Sequence, residues 1–85
     1  MGEEKTRELE LNQVNEKIIK DTIDEAVISL EERGYNAINQ ITGYLISGDL
    51  GYISSYNETR KKISKLDRSL VLEVILRKYV GKWNI

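Results

Sequence analysis

The sequence predicts an all-α fold. It reads as a small, compact helical domain of four to five short helices, homodimeric, with a mobile N-terminal arm. Three observations predict this. Proline is absent from all 85 residues, and apolar residues recur at helical spacing through most of the chain. The last apolar stretch, from Leu70 to Trp83, is apolar on most of its circumference, and a helix of that kind has to be enclosed. A chain this short buries only ~60–65% of the surface its unfolded form exposes. With no Cys to add a disulfide, self-association is the expected source of extra stability.

Residues 1–14 are read as an arm, mobile or extended, because Leu9 and Leu11 alternate with charged or polar neighbours. Residues 15–85 are read as the helical dimerisation domain. A first helix is expected from about Asn15 to Arg33, with Ile19, Ile23, Ala26, Val27 and Leu30 on one stripe. Gly34 is placed to end it in a left-handed cap. Asn36 is the N-cap of a second helix, which puts Ile38, Ile41, Thr42 and Leu45 on one face and stops near Gly48. Ser55 and Glu58 have capping-box spacing for a third helix reaching about Leu66, with Thr59, Ile63 and Leu66 as its apolar stripe. The last helix starts near Asp67 or Ser69 and runs to about Trp83.

Composition narrows the function. The chain has 13 basic and 14 acidic residues, a net charge of −1. That balance gives no general attraction to nucleic acid or anionic lipid. Apolar runs of about four residues fall far short of the ~20 needed to span a bilayer, so no membrane insertion is expected. The N-terminus "MGEEKTRELE" is acidic and is not a secretory signal, so the expected location is cytoplasmic. Neither His nor Cys is present, which removes the commonest metal ligand and the side chains best suited to proton transfer and nucleophilic attack near neutral pH. No glycine-rich phosphate loop occurs. Carboxylates such as Glu31, Glu32 and Asp49 read as a solvated face rather than an acid–base pair. The expectation is a protein that is not an enzyme and takes no cofactor or metal.

Two stretches stand out. Between Gly34 and Ser47 there is no charged residue, in a chain that is 32% charged. Tyr35, Asn36, Asn39, Gln40 and Tyr44 stand there with Gly34 and Gly43. One reading is a buried helix with polar ends. The other is an interface, where a charge would be costly once desolvated, tyrosines supply broad contact, and Gly43 lets another helix approach closely. The second stretch, "RKKISKLDR", concentrates Arg60, Lys61, Lys62, Lys65 and Arg68. It is either a partner or phosphate contact or a positive outer face with its cations near a helix C-terminus. A helical nucleic-acid-binding module using this Arg60–Arg68 cluster is the alternative function.

"SLEERGYNAINQITGYLISGD", followed by "YISSYNETRKKISKLDR", resembles the IreB/ReoM family of small bacterial regulators from about Thr6 to Val80. The resemblance implies a compact, all-helical, cytoplasmic homodimer from Gram-positive bacteria that is not an enzyme. It implies a substrate of a membrane Ser/Thr kinase with extracellular PASTA domains, and of its partner phosphatase. It further implies that the unphosphorylated form promotes Clp-dependent degradation of the UDP-GlcNAc enolpyruvyl transferase that begins peptidoglycan synthesis. Phosphorylation relieves this and raises tolerance of cell-wall antibiotics.

Counting back from the Ser-Leu-Glu-Glu block, the resemblance places the modified threonine on Thr6. A second threonine of some members is replaced by Glu3. A phosphate on Thr6, between Lys5 and Arg7, has the Arg60–Arg68 cluster as a candidate receptor. The chain departs from the family where Ala37, Leu50 and Ser54 replace common prolines, and where Ser55 and Ser64 replace common basic residues.

Overall fold

The computed structural model describes the backbone of residues 2–81 and the side chains of residues 15–81. Among the described residues it has four α-helices: α1 (Gly2–Glu32), α2 (Ala37–Ser47), α3 (Thr59–Ser64) and α4 (Arg68–Val80). Two single 3₁₀ turns, Leu50–Tyr52 and Tyr56–Glu58, join α2 to α3.

Helix α1 starts at Gly2, where the sequence reading placed an extended or mobile arm and a helix start near Asn15. Amphipathic periodicity is not what makes this first part helical. Glu, Lys, Arg and Leu are strong helix formers, no proline interrupts them, and Glu3 and Glu4 suit the positive end of the helix dipole. At ~1.5 Å per residue the 31 residues of α1 span about the 47 Å long axis of the molecule.

The end of α1 follows from Gly34, which adopts φ +79°. Its N–H donates to Glu31 O at 2.9 Å, and the Tyr35 N–H donates to Leu30 O at 3.0 Å. Those paired bonds are a Schellman closure, which satisfies carbonyls the helix leaves open. Two residues on, the Asn36 carboxamide oxygen accepts from the Asn39 N–H at 3.0 Å and caps α2, as its position predicted. Gly48 ends α2 with φ +77°, its N–H donating to Tyr44 O.

The capping box expected at Ser55 and Glu58 is not made. Ser55 is not extended (φ −83°, ψ 0°) and caps nothing, while Asn57 and Glu58 both sit in the left-handed region at φ 55° and 59°. The chain reverses there before the helix begins, so a box that needs an extended N-cap has no starting geometry. α3 starts one residue later, with Thr59 Oγ1 donating to Tyr56 O at 2.6 Å. Asp67 caps α4 by accepting from the Leu70 N–H. Gly81, at φ +70°, closes α4 after Val80. The expected end near Trp83 lies outside the described residues.

Two buried clusters hold these elements. Ala26, Leu30, Ala37, Ile41, Tyr44, Ile53 and Ile63 join α1, α2, the turns and α3. Ile19, Val71 and Val74 join α1 to α4. Leu45 packs against both. The stripes predicted for α1 and α3 are the ones used. In α2 the inward face is Ala37, Ile41 and Tyr44, so Ile38 (65% exposed) and Thr42 point outward instead of inward. The register of a short helix apolar on both sides is chosen by what it packs against, and Tyr44 fills more core than Ile38.

Candidate functional site

Three surfaces of the domain can carry function. The first is the uncharged α2 segment. Tyr44 is buried, Gln40 is half-buried, and Tyr35, Asn36 and Asn39 are exposed. Gln40 Oε1 accepts from the Ser54 N–H at 2.9 Å, tying the loop after α2 back onto the helix. Gly43 admits the Tyr52 ring rather than another helix: a Cβ there would lie 2.5 Å from Tyr52 Cδ1. The buried-helix reading holds for the inner side of this segment, where Tyr44 is core. Its inner face is core, and its outer face presents Ile38, Asn39, Thr42 and Ile46 with no charge among them.

The second surface is the basic run, which the fold breaks up. Arg60 Nε donates to Ile53 O at 2.9 Å. Lys62 Nζ pairs with Glu25 on α1 at 2.6 Å. Lys61 stands 3.9 Å from Glu58. Arg68 reaches from the start of α4 to the end of α2, where its Nη1 donates to Leu45 O at 3.1 Å and its guanidinium lies 5.9 Å from the Tyr44 ring centroid. A cation gains little at the N-terminus of its own helix, but here it satisfies a last-turn carbonyl of another. Lys65 is exposed. Three of the five cations thus hold the fold together, and the five do not form one free ridge.

The third surface is the outer side of α4. Leu72, Ile75, Leu76, Tyr79 and Val80 are exposed, from 44% at Ile75 to 87% at Tyr79. Only Val71 and Val74 of this helix are buried. Exposed apolar side chains clustered on one helix mark an interaction surface more often than isolated ones do.

Sequence reasoning passed over the short loop before α3. Asn57 Nδ2 donates to the buried Ser29 Oγ at 3.0 Å, and the Arg33 guanidinium lies 4.9 Å from the Tyr56 ring centroid. An Asn two residues ahead of a helix, in a stretch without glycine, was the available signal, because Asn tolerates the left-handed region better than most residues. Elsewhere, Asp24 draws the Lys20 pKa upward through a hydrogen bond and its charge. That pair is an exposed i,i+4 bridge on α1. Among the described residues no three acidic groups are gathered as a metal site would need, and no helix is long and apolar enough to cross a membrane.

The sequence model of the IreB regulatory phosphoprotein family matches residues 4–81. The chain belongs to that family. The match covers α2, α3, α4 and all but the first two residues of α1, and it takes in Thr6, whose backbone lies within α1 and whose side chain is outside the described ones. Membership in the IreB family supports a regulatory role exercised as a phosphoprotein, with other proteins as partners.

Proposed function

We propose that the chain is a non-enzymatic, cytoplasmic regulator of peptidoglycan synthesis, switched by phosphorylation of Thr6. A PASTA-domain Ser/Thr kinase adds the phosphate and its partner phosphatase removes it. The unphosphorylated form promotes Clp-dependent degradation of the UDP-GlcNAc enolpyruvyl transferase. The working form is a homodimer, with the outer side of α4 as the contact between copies and the uncharged outer face of α2 left for a partner.

The observation that carries this reading is the match of the IreB regulatory phosphoprotein family from residue 4 to residue 81. The exposed apolar side of α4 supports the dimer. The test is labelling of the purified chain by the cognate kinase, with Thr6→Ala beside the wild type. Loss of label in the substituted chain is expected, and persistent label would move the site. In the native host, Thr6→Ala should lower the level of the transferase, and an unchanged level would detach the chain from that pathway.

A further inference from the structure

We propose that phosphate on Thr6 unwinds the first turns of α1, so that the modification converts helix to coil instead of docking an ordered arm. This rests on the assignment of Thr6 made above. Helical backbone runs unbroken from Gly2 through Thr6 and onward to Glu32. In that register position 6 shares a face with positions 2, 3, 9 and 10. Two of these are glutamates, Glu3 and Glu10, and the other two are Gly2 and Leu9. The cations Lys5 and Arg7 are next neighbours in sequence, and neighbours at i±1 do not face each other on a helix.

A phosphate brings roughly −1.5 to −2 charges. In the helix it therefore has like charge placed one turn before it and one turn after. The helix dipole favours an anion only within the first turn, where Glu3 and Glu4 already stand. In a coil, Lys5 and Arg7 are free to turn toward the phosphate. Unwinding thus exchanges two repulsions for two attractions. Terminal turns are the least stable part of a helix, with opening free energies close to zero where they fray, so a charge change of this size is enough to tip them.

The test uses the full chain synthesised with phosphothreonine at position 6, so that no kinase is needed. It is compared with the unmodified chain by backbone NMR shifts and amide exchange. Residues 2–10 should lose their helical shifts and exchange about tenfold faster or more, with Ile19 to Leu30 unaffected. Adding Glu3→Gln and Glu10→Gln to the phosphorylated chain should restore most of the helix. Helical shifts kept or strengthened by the phosphate, an unmodified chain already lacking helix at 2–10, or no recovery in the double variant would each overturn the proposal. Kinase labelling away from Thr6 would remove the proposed modification site without changing this readout, so the two failures are separable.

Discussion

Single residues in this protein are fixed by different forces. Gly34 has open space where a Cβ would go, but its φ is +79°. Gly43 has ordinary helical backbone, but a Cβ would meet the Tyr52 ring. Gly34→Ala should therefore cost about 1–2 kcal/mol through the backbone alone. Gly43→Ala gains up to about 1 kcal/mol of helix propensity and must push aside a ring that is itself 53% exposed. Its net effect on urea unfolding should be the smaller of the two. Asn57 and Glu58 offer a second contrast, since both are left-handed. Asn57 also donates to the buried Ser29 hydroxyl, whereas Glu58 reaches only an exposed lysine. We expect Asn57→Ala to destabilise by about 1–3 kcal/mol. Glu58→Gly should be neutral or stabilising by up to about 1 kcal/mol. Denaturant midpoints check both.

Helices meet here through side chains that the sequence advertises as surface charge. Arg68 joins α4 to the end of α2, Arg60 holds the first turn's Ile53 carbonyl, and Lys62 ties α3 to α1. If Arg68 is a clamp, Arg68→Ala should lower stability by about 1–2 kcal/mol, because it removes a charge-assisted hydrogen bond and a stacked cation. Lys65→Ala should stay within about 0.5 kcal/mol. Equal, negligible effects from both would show that Arg68 is surface charge only. The loop after α2 depends on a bond a proline could not donate, from the Ser54 N–H to Gln40.

At the scale of the molecule, the exposed side of α4 is the feature that a lone chain leaves unexplained. A second copy covering Leu72, Ile75, Leu76 and Tyr79 would take these exposed apolar side chains out of water, which favours association. Sedimentation should then give about twice the 9.8 kDa of one chain at micromolar concentration. Leu76→Lys with Tyr79→Lys should return the monomer mass, with α-helical circular dichroism retained. A wild type that already sediments as one chain would leave that face for a different partner.

Much of the fold is legible in the residues because it is local. The Gly34 closure, the Asn36 cap and the apolar stripes of α1 and α3 all follow from side chains within a turn or two of each other. The uncharged block between Gly34 and Ser47 is equally a property of the string. What misled the reading also has a local cause. Periodicity detects helices that pack, and the first turns of α1 are helical by propensity, so they gave no stripe to see. The capping-box spacing at Ser55 and Glu58 was present in sequence, yet backbone reversal at Asn57 denied it the geometry.

The sequence by itself settled that the protein is all helix, where most helices end, and which family it joins. The tertiary structure alone decided which side of α2 faces the core, that three of five clustered cations bridge elements at the surface of the fold, and that one apolar side of α4 lies outside the chain's own core. The physical reason is range. Caps and propensities act between residues a few positions apart, whereas burial and long side-chain bonds such as Arg68 to Leu45 depend on elements distant in sequence coming together.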